Sequence, residues 1–167
     1  SGTSAELTDI GACTYGQDCT NYYTAQQSID DVLSDPSAEL KVEVDMAPAD
    51  VPSLGLAAAS DSGVSNSDHV TNANTLVFEI AGPEDGVQAQ LVRHIVGLNY
   101  EQRVGSATVS SGHATITIPS DYYDSVTVYW LEARDAAGNL STYPFYVVDA
   151  NGLFVTLDRA APVVSIS

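Results

Sequence analysis

Short alternating runs dominate the middle of the chain. In 74–81, Leu76, Phe78 and Ile80 fall on one side of an extended backbone, with Val77 and Glu79 on the other. In 113–119, Ala114, Ile116 and Ile118 do the same. A period of two with β-branched residues predicts half-buried strands. The same reading predicts strands over 53–59, 87–96, 102–110, 126–134, 142–148 and 153–158. The 102–110 and 113–119 strands look paired across Ser111-Gly112. Turn residues fill the gaps, at Pro83-Glu-Asp-Gly86, Ala136-Ala-Gly138-Asn139 and Asp149-Ala-Asn-Gly152. Asn-Gly accepts positive φ, so the last of these suits a hairpin. About seven short antiparallel strands at this spacing predict an all-β, two-sheet sandwich. Over 126–133 both faces are apolar, and a one-residue slip would invert the strand. The helix candidate is 25–33, with Thr24 as its N-cap.

Two segments resemble each other. Leu40-Lys-Val-Glu-Val-Asp45-Met-Ala-Pro48 and Leu153-Phe-Val-Thr-Leu-Asp158-Arg-Ala-Ala-Pro162 are alternating strands closed by Asp and a short Ala/Pro linker. Their separation matches one Ig-sized repeat. The expected organisation is an N-terminal extension, or the tail of a preceding module, over 1–45. A module then spans 46–158, and a linker or the start of another module spans 159–167.

Charge narrows the function. With 22 acidic against 5 basic residues, the net charge is -17. Such a surface repels nucleic acid and anionic lipid. No apolar run approaches the roughly 20 residues that a membrane helix needs. No signal peptide is visible, so the chain reads as a mature or excised fragment. Cys13 and Cys19 are spaced for a small disulfide loop in an oxidising compartment. The histidines His69, His94 and His113 are scattered, and neither a zinc-protease motif nor a nucleophile elbow occurs. The chain reads as non-enzymatic.

Three stretches resemble a bacterial Ig-like repeat of large RTX and biofilm-type surface adhesins. They are Ala58-Ala-Ser-Asp61-Ser-Gly63-Val-Ser-Asn-Ser-Asp68-His-Val-Thr71-Asn72, then Glu132-Ala-Arg-Asp135-Ala-Ala-Gly138-Asn139-Leu-Ser141, then Asp158-Arg-Ala-Ala-Pro162. The resemblance implies an Ig-like sandwich repeated in tandem, a spacer in an extracellular adhesin whose partners are adjacent Ig-like modules and a cell-surface or matrix ligand. It places Tyr129, Leu131 and Ala133 inward, with Val128 and Trp130 outward. It also implies calcium at the module poles. Sandwich topology gathers Asp61, Asp68, Asp121, Asp124 and Asp158 at one pole, and Asp45, Glu84, Asp85, Asp135 and Asn139 at the other. Calcium takes six to eight such oxygens. For each residue singly, capping of its own turn is the simpler role. The alternatives are a carbohydrate- or protein-binding module, with tyrosines such as Tyr22 and Tyr122 as stacking platforms, and a filament subunit assembled by strand exchange.

Overall fold

The computed structural model describes residues 3–9 (backbone only), 18–82, 84–98, 100–121, 124–141 and 152–161. The chain divides into two units, Ser1–Ala47 and Pro48–Ser167. All described regular structure is β.

In the first unit, β1 (Thr3–Asp9) pairs antiparallel with β2 (Cys19–Ile29). On the other side of β2 lie β3 (Val32–Leu33) and β4 (Leu40–Val44). The helix expected over 25–33 is therefore a strand and a hairpin. Asp30 and Asp31 adopt φ of 50° and 63°, and this two-residue turn folds Val32 back onto Ile29. Seven cross-strand pairs with β1 outweigh the helix preference of Ala25-Gln-Gln27.

The second unit is the sandwich. One sheet has the order β10-β7-β5, made of His113–Pro119, Thr75–Ala81 and Ser53–Leu56. The other has the order β6-β12-β11-β8-β9, made of Val70–Thr71, Leu153–Leu157, Ser125–Arg134, Gln88–Ile95 and Glu101–Thr108. All pairings are antiparallel except β12 with β6. The strand expected over 142–148 and most of the 149–152 turn lie outside the described residues.

One expected pairing is corrected. β9 and β10 belong to different sheets, and only a bridge between Ser110 and His113 joins them. Ser111 and Gly112, with φ of 53° and 76°, turn the chain from one sheet to the other. The crossing lets β10 pair fully with β7, placing Ile116 and Ile118 in the core.

The inner faces follow the alternation. Leu76, Phe78, Ile80, Ile116 and Ile118 of one sheet meet Ala89, Leu91, Tyr129, Leu131, Ala133 and Val155 of the other. Phe78 and Tyr129 meet across the gap with ring centroids 4.6 Å apart and ring planes tilted by 48°. Tyr129, Leu131 and Ala133 point inward, as the Ig-like register requires. Val128 and Val92, outside that core, are also buried, and Trp130 is half-buried. Strand β11 is thus covered along both faces, which explains its unbroken apolar run. At Gly105 a Cβ would fall 2.5 Å from Ile116 Cγ2, so β9 approaches β10 too closely for a side chain.

Candidate functional site

The 60–72 loop, which carries the short strand β6 near its end, is built on Asp61. This residue is buried, and its Oδ2 accepts from the backbone N–H of His69 at 3.0 Å. That contact holds His69 at φ 58°. Ser62 donates its hydroxyl to Asn72 Oδ1 at 2.8 Å and accepts from Asn72 N–H at 3.0 Å. Asp61 Oδ1 is buried with no hydrogen-bond partner among the described residues. Asp68 accepts from Val70 N–H at 3.1 Å.

Asp121 and Asp124 each bond to an arginine, Asp121 to Arg93 and Asp124 to Arg159. Asp121 forms an ion pair with Arg93 and accepts from the Thr127 hydroxyl at 3.2 Å. Asp124 accepts from Arg159 N–H at 2.9 Å. The Arg159 guanidinium then donates to Asp121 O, Ser120 Oγ and Ala73 O. Asp158 accepts from Ala160 N–H. The Asp121 carboxylate is paired with the Arg93 guanidinium, and sequence reasoning missed both this partner and Arg159. The signal available was that Arg159 sits inside the closing Asp-Arg-Ala-Ala-Pro motif.

At the opposite end, Asp85 accepts from Gly112 N–H at 2.9 Å. Asp135 takes Gly138 N–H, Asn139 N–H and the Asn139 side-chain amide, at 2.7, 2.8 and 2.9 Å. Burial pushes its carboxyl up. The donors of Asn139, Gly138 and Ala137 outweigh that, and the net shift is downward. Asp45 belongs to the first unit and accepts from Ala47 N–H at 3.1 Å. Capping is thus the visible role of Asp45, Asp68, Asp85, Asp135 and Asp158. Among the described residues no three His, Cys, Asp or Glu side chains stand together as metal ligands. Cys19 is disulfide-bonded. Cys13, the chain's other cysteine, lies outside the described residues.

A groove of about 450 Å³ runs along β8, β9 and β11, lined by Gln90, Arg103, Ser106, Thr108, Glu132 and Arg134 among others. Arg103 grips Glu132 through two parallel bonds, Nε to Oε2 at 2.9 Å and Nη2 to Oε1 at 3.0 Å. Such a fork is rigid and polar.

Residues 48–150 match the family model of the bacterial Ig-like domain. The chain belongs to that family. The match covers the β5–β11 strands and both Asp-built turns, at 60–72 and 135–139, so these turns are parts of the Ig-like module. Ig-like modules of this kind are typically non-catalytic. No curated protein matches the chain. Among solved structures, the chain is similar to the human OSCAR ligand-binding domain, at 14% identity and a TM-score of 0.38. That match covers 83% of this chain and 94% of the other. Among the described residues no helix is long and apolar enough to cross a membrane.

Proposed function

We propose that the Ig-like module is a structural spacer of an extracellular bacterial surface protein, joined end to end with other modules. The observation that carries this reading is how the last strand of the module is held. Strands β6 and β12 run parallel, joined by Thr156 N–H to His69 O at 2.8 Å and Asp158 N–H to Thr71 O at 2.9 Å. Tension along the chain would load these bonds in shear, together rather than one at a time. Arg159, immediately beyond, ties the exit to Ser120, Asp121 and Ala73. An exit held by these three residues suits a module that fixes the direction of the next.

Within the same reading, calcium stabilises the 60–72 loop through Asp61. Its orphaned Oδ1 is the kind of group that a hard cation satisfies, and Ser62, Asp68, Thr71 and Asn72 supply further oxygens in that loop. The oxidised Cys19 supports an extracellular location.

The groove favours a second reading, a binding module for a polar ligand such as a carbohydrate. Its volume lies in the range of small-molecule sites. A glycan array separates the two. A spacer gives no signal above background. A signal lost on Arg103→Ala and Glu132→Ala would replace the spacer reading with the binding one.

A further inference from the structure

Five basic residues stand in this chain against 22 acidic ones, and two of the five, Arg103 and Arg134, line the groove on β8, β9 and β11. The strand registers place them. Arg134, Gln88 and Thr108 form one row across the three strands, and Glu132, Gln90 and Ser106 form the next. Ala89, Ala107 and Ala133 alternate with them and go to the core side. The six side chains therefore share the outer face of the sheet. Rows about 7 Å apart, on strands about 4.8 Å apart, make a patch the size of a short oligosaccharide.

The two cations of the groove are not equivalent. Arg103 is taken by the Glu132 fork. Arg134 donates Nη1 to Gly138 O at 2.7 Å, which fixes its guanidinium, and it has no carboxylate partner among the described residues. The neighbouring Asp135 carboxylate is buried and turned into its own bonds with Gly138 and Asn139. Arg134, Gln88, Ser106 and Thr108 are all exposed. The groove thus offers one uncompensated cation beside amides and hydroxyls that both donate and accept. Strand β8 is bonded on both sides, so only side chains face a ligand here. A peptide would instead find free backbone groups at a sheet edge.

Resting on the binding reading of the groove, we propose that it takes an acidic saccharide, a glycan rich in uronic acid. The sugar carboxylate pairs with Arg134, and the hydroxyls meet Gln88, Gln90, Ser106 and Thr108. Among the described residues no aromatic ring lines the groove, and Leu140 is the one large apolar side chain in it. A neutral sugar would therefore exchange hydrogen bonds with water for hydrogen bonds with protein, at little net gain. A charge-assisted bond to a guanidinium is about twice as strong, so the carboxylate decides the affinity.

Titration calorimetry of the full chain, in about 150 mM NaCl with a calcium chelator, tests this. That salt confines the field of the -17 net charge to about 8 Å, and the chelator keeps a cation from bridging two anions. The probes are oligomers of galacturonate, glucuronate and mannuronate, each beside its carboxyl-reduced form, and a hexaglutamate peptide. At least one uronate oligomer should bind about tenfold or more tighter than its reduced form and than the peptide. Arg134→Gln should bring that uronate down to the affinity of its reduced form. Lys41→Gln, in the first unit, should change nothing. A reduced form that binds as tightly as its uronate leaves the groove reading standing and overturns the acidic class. Equal binding of hexaglutamate overturns the saccharide class. A preference for uronate retained in folded Arg134→Gln overturns the proposal. So does the absence of binding by every probe at about 10 mM, and silence on the glycan array then removes the groove reading with it. The wild-type comparison decides even if a variant unfolds.

Discussion

Tyr129 is the largest of the fully buried side chains, and its phenol sits between the core and the Asp121–Arg93 pair. Burial, and then the nearby Asp121 carboxylate, pushes its pKa from 10.0 up to about 12, and Arg93 and Thr127 offset this only in part. The folded state thus holds the phenolic proton more tightly than the unfolded chain. Its contribution is fully present below pH 10 and is lost as pH rises to about 12, for a fall of roughly 2–3 kcal/mol. Urea melts at pH 9 and pH 11.5 should show that fall in the wild type and a much smaller one in Tyr129→Phe. Equal falls would show that the phenol is not the cause. Asp135 works in the opposite sense: its carboxyl is depressed, so its contribution is present at neutral pH and lost in acid. The Asp135 turn was legible because its partners lie within four residues. The Arg93–Asp121 pair was not, because it spans 28 residues and two sheets' worth of topology.

At the scale of elements, β10 reads directly from sequence, since its alternation and its edges at Gly112 and Ser120 agree. Strand β2 does not, because Ala25-Gln-Gln27 favours helix locally and its partner β1 carries little alternation of its own. The cross-strand ladder that decides the outcome is invisible in a local window. The 60–72 loop is intermediate. Its caps were foreseeable, but the orphaned oxygen of Asp61 emerges only on folding. Calcium at this loop should stabilise the module by about 2.7 kcal/mol at a hundredfold excess over Kd. Melts with calcium and with chelator, in moderate salt, should separate for the wild type and coincide for Asp61→Asn. Magnesium should do less. Coincident wild-type melts, or an undiminished gain in Asp61→Asn, would remove calcium from the loop.

For the whole molecule, the family assignment and the parallel closure of β6 on β12 bear on one claim, that the Ig-like module transmits tension from one end to the other. Sequence disclosed the module through its turn signatures. It did not disclose the clamp, because β6 is only two residues long and pairs with a strand some 85 residues away. Pulling the full chain by its ends in a single-molecule force experiment tests the claim most directly. Residues 48–161 should open in one cooperative event, with a contour-length gain of roughly 35–40 nm at about 3.6 Å per residue. Arg159→Ala should lower the force of that event without changing its length, because only the exit tie is lost. Gradual lengthening at low force, strand by strand, or a force unaffected by Arg159→Ala, would contradict it.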